Sequence, residues 1–214
     1  MKRLITYSFF IMLLAVAFTS CEEKTTEDIS RVTYFPEFNL KGDDPYFINV
    51  NNPPAAYEDP GAVVTEGGEE IEFESEANVD VDNLGYYDVS YSATNQDGYS
   101  ATAQRSVVVG CPDDPEKTLN VADSAQSSFG FSYQISVEQT GIGKYTIDDI
   151  TGFFNIAIRG EIGILCDSIV TGSSAYGMYQ GATLDMENNQ LLIDWSYPPL
   201  GYSGQTIIPI ISFN

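Results

Sequence analysis

The sequence predicts an all-β protein built from two antiparallel modules, and three observations carry that expectation. Apolar and polar residues alternate with a period of two in several short runs, the pattern of strands with one buried and one solvated face. Turn residues, chiefly Gly, Pro, Asn and Asp, interrupt these runs about every ten positions, as in a β-sandwich. Hydrophobic residues make up 43% and aromatic residues 13% of the 214 positions, enough for a core in each of two domains of roughly 100 residues.

At the N-terminus, Met1-Lys2-Arg3 is basic, residues 4–18 form a nearly unbroken apolar run, and Thr19-Ser20-Cys21 follow. The run is shorter than the ~20 residues of a membrane-spanning helix and ends in small residues, so residues 1–20 read as a signal peptide. Small residues before this cysteine resemble the lipobox cut by the lipoprotein signal peptidase, with Phe18 in place of the usual Leu. That resemblance implies acylation of Cys21, which becomes the first residue and ties the chain to a membrane. Residues 21–30 are polar and aperiodic, a flexible tether. Glu22 and Glu23 resemble the export signal that places Bacteroidetes lipoproteins on the outer face of the outer membrane, which implies surface exposure.

Residues 31–110 form the first expected module. In residues 70–75, Ile71 and Phe73 alternate with Glu70, Glu72 and Glu74, the pattern of a half-buried strand. Tyr87, Val89, Tyr91 and Ala93 alternate with Asp88, Ser90, Ser92 and Thr94, and the turn Asn95-Gln96-Asp97-Gly98 leads into residues 102–109, so the two runs predict a hairpin. The stretches at 57–62, 79–82, 85–95 and 105–109, taken with their order and spacing, resemble the bacterial immunoglobulin-like domain first named from a pesticidal crystal protein. Asn95 and Tyr99 depart from its usual Asp and Asn. The resemblance implies an immunoglobulin-like sandwich that acts as a spacer or interaction platform, and it implies no chemistry.

Cys111-Pro112-Asp113-Asp114-Pro115 interrupts the apolar pattern and marks the expected boundary to a second module, residues 111–214. Its clearest strand signal is at 129–138, where Phe129, Phe131, Tyr133, Ile135 and Val137 share one face. Further strands are expected at 143–147, 153–158, 162–165, 182–186, 190–196 and 206–213, with a hairpin turn at Glu187-Asn188-Asn189. The module reads as a second antiparallel sandwich or a small barrel. Residues 143–152 and 176–181, following the immunoglobulin-like segment, resemble a family of Bacteroidetes lipoproteins whose C-terminal domain has no known function; the resemblance implies association with glycan uptake or other outer-surface systems.

Charge and composition remove several functions. The formal charge is −22, and nine basic residues less Lys2 and Arg3 leave seven against 31 acids, so no basic patch exists to neutralise phosphates and nucleic acid is excluded as a partner. The absence of histidine removes Ser-His and Cys-His nucleophile pairs and the commonest zinc ligand. No catalytic residue, metal or cofactor is expected. The acid pairs Asp43-Asp44, Glu58-Asp59 and Asp80 with Asp82 lack the spacing of a calcium loop and read as solvated turns. Asp148, Asp149, Asp185 and Asp194 are candidate carboxylates for a glycosidase, the least favoured alternative.

Trp195, Tyr176, Tyr179, Tyr197 and Tyr202 lie among glycines, serines and prolines and are candidates for a glycan surface, with Asp194 or Asn188 to hold hydroxyls. For Trp195, which shares a face with Leu191 and Ile193, core filling is the plainer reading. Cys111 and Cys166 form an even pair that an oxidising compartment would permit to bond or leave as buried thiols. The functional expectation is therefore a non-catalytic outer-membrane lipoprotein that binds glycan or another macromolecule; the alternative is a structural subunit of an outer-membrane protein complex.

Overall fold

A computed structural model describes residues 32–152 and 157–214. The signal peptide, Cys21 and the tether lie outside the described residues, as do four positions of the strand expected at 153–158, whose last two positions are not in a strand. Phe35–Asn214 form one compact unit of strands and two short 3-10 turns among the described residues.

The first half of this unit is a two-sheet sandwich. One sheet holds β1 (Glu37–Leu40), β3 (Ala62–Glu66) and β4 (Glu69–Glu70) in the order β1-β3-β4. The other holds β2 (Tyr46–Asn49), β5 (Glu74–Ala77), β6 (Gly85–Thr94) and β7 (Ser100–Gly110) in the order β2-β7-β6-β5. The β6–β7 hairpin pairs Thr94 with Ser100 across the Asn95–Gly98 turn, where Gly98 takes φ +85°. Alternation places Val89, Tyr91 and Ala93 in the core with Ile48, Val64, Val107 and Val109. The exception to antiparallel pairing here is β2, which runs parallel to β7.

The continuous strand read from residues 70–75 is replaced by a crossing. β4 ends at Glu70 in one sheet and β5 starts at Glu74 in the other, while Ile71 and Phe73 pack on the core between them. A period of two specifies which side chains face inward; it does not specify the partner strand.

Arg105 of β7 is fully buried, and its Nη2 donates to the carbonyls of Lys41 and Gly61, which flank β1 and β3. Beside it the Tyr91 hydroxyl donates to Asp59 Oδ1 at 2.6 Å. The guanidinium thus bridges the two sheets through Nη2, while its Nε and Nη1 are buried without a hydrogen-bond partner among the described residues and the Tyr91 ring centroid lies 6.0 Å away.

The second half is another sandwich rather than a closed barrel. Its larger sheet contains β8 (Leu119–Val121), β9 (Ser124–Ser127), β10 (Ser132–Gln134), β15 (Tyr179–Asp185), β16 (Gln190–Tyr197) and β17 (Tyr202–Phe213), ordered β10-β9-β17-β16-β15 with β8 also on β17. Its smaller sheet contains β11 (Val137–Gly141), β12 (Lys144–Ile147), β13 (Gly160–Leu165) and β14 (Ser168–Ser174), in that order. Tyr145, Ile147, Ile162 and Ile164 from the smaller sheet meet Leu191, Ile193, Trp195, Ile208 and Ile210 from the larger in one core.

The long strand expected at 129–138 is also broken. Residues 128–130 turn between β9 and β10, with Gly130 at φ +88° and its N–H donating to the Ser127 carbonyl at 2.9 Å, and the chain then leaves for β11 in the other sheet. A glycine between two phenylalanines supplies the left-handed backbone that the turn requires. Phe129 and Phe131 therefore stand in solvent, not in the core.

The two sandwiches meet along the end of β7. Val107 and Val109 face the first core, whereas Val108 is buried on the opposite face beside its register partners Phe47 and Tyr86. The Tyr86 hydroxyl donates to the Ile142 carbonyl at 3.0 Å, and its ring lies on Gly163, where an added Cβ would come within 2.5 Å of Cε2. Lys144 Nζ caps the same ring, 4.4 Å from its centroid. Next to this contact Cys111 and Cys166 are joined by a disulfide. The buried Asp114 carboxylate accepts from the backbone N–H groups of Cys111 at 2.6 Å and Cys166 at 3.0 Å, so the same side chain fixes both ends of the linkage.

Candidate functional site

Three turns gather at the end of the second sandwich away from the disulfide. Strand register brings them together: β9 ends beside the start of β17, where Ser127 pairs with Thr206, and the end of β16 pairs with the starts of β15 and β17 through Tyr179, Trp195 and Gly204. The turn after β9 carries Phe129 and Phe131, the 3-10 turn Ala175–Gly177 carries Tyr176, and the 3-10 turn Pro198–Leu200 carries Leu200 and leads to Tyr202. Each turn contains a glycine at positive φ, namely Gly130, Gly177 and Gly201, so the chain reverses tightly and pushes the flanking side chains outward.

Tyr176 is 84% exposed and itself holds φ +61°, a left-handed backbone in which an aromatic residue is strained. Phe129 and Phe131 stack with centroids 6.4 Å apart and planes 10° from parallel, and Tyr202 pairs across the strands with the half-buried Tyr197. Tyr179 is half-buried with its ring on Gly172, and burial, followed by the Asp194 charge, raises its phenol above the ordinary range. Asp194 Oδ1 accepts from Gln205 Nε2 at 2.9 Å, which leaves further acceptor capacity at the surface.

Two sequence candidates do not belong to this surface. Trp195 is 1% exposed and forms the floor, packed under Phe129 at 6.0 Å and against Gly204, where an added Cβ would lie 2.7 Å from the indole. Its place on the inward face of β16 with Leu191 and Ile193 is the physical reason. Asn188 sits in the turn at the opposite end of β15 and β16, where its N–H and amide donate to Asp185 at 3.0 and 2.8 Å. Conversely, Phe129, Phe131 and Leu200 join the cluster without having been read as surface residues. The Ser128-Phe129-Gly130 sequence was the available signal for the first two.

The acids have local work. Asp149 Oδ1 accepts from the N–H groups of Thr151, Gly152 and Ile158, Asp148 from Ser136 N–H, and Asp185 from Asn188, so three of the four glycosidase candidates close loops. In the first sandwich Asp44 accepts from Ser106 N–H, Asp59 from Tyr57 and Tyr91, and Asp80 from Asp82 N–H and Asn83. Cys111, Asp114 and Cys166 are the one grouping of ligand types found among the described residues, and with both sulfurs in a disulfide they offer no thiolate to a metal.

Residues 38–109, which form most of the first sandwich, match the bacterial surface protein Ig-like domain. Among solved structures, the chain is similar to a crystal structure of a lipoprotein from Bacteroides thetaiotaomicron, 21% identical over 82% of this chain and 100% of that one, with a TM-score of 0.38. No curated protein matches the chain in sequence.

Proposed function

We propose that the chain is a non-catalytic outer-membrane lipoprotein, held by acylated Cys21, that presents the aromatic turn cluster of its second sandwich to a glycan at the cell surface. The observation that carries this reading is Tyr176, an aromatic ring 84% exposed on a strained left-handed backbone at the end where Phe129, Phe131 and Tyr202 also stand in solvent. Strain of this kind persists where the surroundings over-determine it, and it concentrates at sites of binding. Exposed ring faces beside serines, Gln205 and Asp194 suit a sugar, which offers an apolar face to stack and hydroxyls at its rim.

A glycan array probed with the lipid-free chain from residue 22 onward, which retains the whole compact unit, is the test. Tyr176→Ala is expected to weaken binding about tenfold, on the scale of about 1 kcal/mol for a ring contact, without moving the melting temperature. Absence of binding to any glycan, or equal binding by Tyr176→Ala and Tyr202→Ala, would refute it. Loss of a cross-linked envelope protein in those variants would instead favour the structural-subunit reading.

A further inference from the structure

A groove of about 550 Å³ runs where the first sandwich meets the outward face of the smaller sheet of the second. Tyr86 and Tyr87 form one wall, and Lys144, Arg159, Glu161 and Ser173 are among the other lining residues. This charge composition is unexpected in a chain of net charge −22. The described residues include five cations, and three are accounted for elsewhere: Arg105 is inside the first core, Lys117 is paired with Asp113 and Asp167, and Lys41 is exposed next to β1. The remaining two both line this groove, and neither forms an ion pair with another described residue.

Strand register orders the lining. Lys144 pairs with Gly163 and Thr146 with Glu161, so Lys144 and Glu161 project from the same face of the sheet, and Arg159, just before β13, lines the same groove. Arg159 lies four residues before Gly163, about 13 Å of extended chain. A single small anion does not span that length, whereas a chain of sugar units with repeating acidic groups does. Between the cations, the Glu161 carboxylate accepts hydrogen bonds, which suits hydroxyls and repels a third anionic group. Lys144 is held on the Tyr86 ring, so its ammonium is positioned before any ligand arrives. The many acids elsewhere do not cancel this arrangement, because charges beyond a Debye length of about 8 Å are largely screened at physiological salt.

We propose that this groove is a second carbohydrate site, distinct in place and chemistry from the aromatic turns, that takes an acidic glycan through carboxylate or sulfate groups on Lys144 and Arg159. The proposal does not rest on the reading of the turn cluster. Calorimetric titration of the lipid-free chain from residue 22 onward with three probes tests it: an oligogalacturonate, the same oligomer with its carboxyls methyl-esterified, and a sulfated galactan oligomer. At least one acidic oligomer is expected to bind, and whichever does identifies the group. The neutral ester is expected to bind at least about tenfold more weakly, on the scale of a lost charge-assisted hydrogen bond. Arg159→Gln, an exposed position that should leave folding intact, is expected to weaken binding at least about tenfold, as is Lys144→Gln. Failure of both acidic oligomers to bind, equal binding of the ester, or full binding by a normally melting Arg159→Gln variant overturns the proposal.

Discussion

Replacing Gly163 with alanine probes how the two sandwiches are held together. The new Cβ would lie 2.5 Å from Tyr86 Cε2 and 2.6 Å from Thr171 Cγ2, about 1 Å inside ordinary carbon contact. Thr171 can rotate away, but Tyr86 is tied by its hydroxyl to the Ile142 carbonyl and covered by Lys144, so the ring must leave its seat. Overpacking of this kind costs about 1–3 kcal/mol, offset by about 0.4–1 kcal/mol because alanine restricts the unfolded chain, for a net loss of up to about 2.6 kcal/mol. In a Tyr86→Ala background the obstruction is gone, and the same glycine substitution is expected to be neutral or to stabilise by up to about 1 kcal/mol. Urea unfolding of the parent, both single variants and the double variant, followed by fluorescence of the single tryptophan Trp195, gives the coupling energy. A result additive within about 0.5 kcal/mol would show that Tyr86 and Gly163 do not constrain one another and would refute the packing argument.

Two further outcomes follow from the same structure and a third from the sequence. Cys111 and Cys166 are 55 residues apart, for which chain entropy gives about 4 kcal/mol, so Cys111→Ser with Cys166→Ser should lower the melting temperature markedly, and an unchanged melt would contradict the estimate of loop entropy. Burial pushes the phenols of Tyr57 and Tyr133 up to about 12, so the folded chain keeps protons that unfolded tyrosines release near 10. Their stabilisation is present below about pH 10 and is lost as pH rises toward 12; ultraviolet titration in which every phenol ionises near pH 10 while the chain stays folded would exclude it. Cys21→Ser should release or misprocess the protein in its native cells, and a variant that still fractionates with membranes at mature size would remove the lipid anchor from the account.

Sequence alone was most informative where structure is local. The β6–β7 hairpin was legible because alternating apolar residues flank a turn that Gly98 and the Asn95 side chain close, the latter accepting from Tyr99 N–H at 2.7 Å. Period-two runs misled at Ile71-Glu72-Phe73, where the inward positions hold but the chain changes sheets, and at residues 129–138, where Tyr133, Ile135 and Val137 face the core but the turn points Phe129 and Phe131 out to solvent and the chain changes sheets. In the turn cluster, Tyr176, Tyr179, Tyr197 and Tyr202 lie close to turns recognisable from Gly and Pro, whereas Phe129 and Phe131 reach the same end only through the pairing of β9 with β17. The contact between sandwiches was hidden for the same reason, since Tyr86 and Gly163 are remote in sequence and neither carries a pattern that names the other. One hint was present: Val107-Val108-Val109 abandons alternation, as a strand covered on both faces does.

The parallel pairing of β2 with β7 also governs how the first sandwich would respond to pulling. A protein tethered by its N-terminus and gripped at its far module is loaded through the chain leading into β2 and the chain leaving β7. In a parallel pair those two points lie at opposite ends, so the strands are dragged lengthwise past each other and the ladder from Tyr46–Val107 to Asn49–Gly110 bears force together instead of opening one bond at a time. Once load passes β1, resistance is set by the rate of crossing that shared barrier rather than by equilibrium stability.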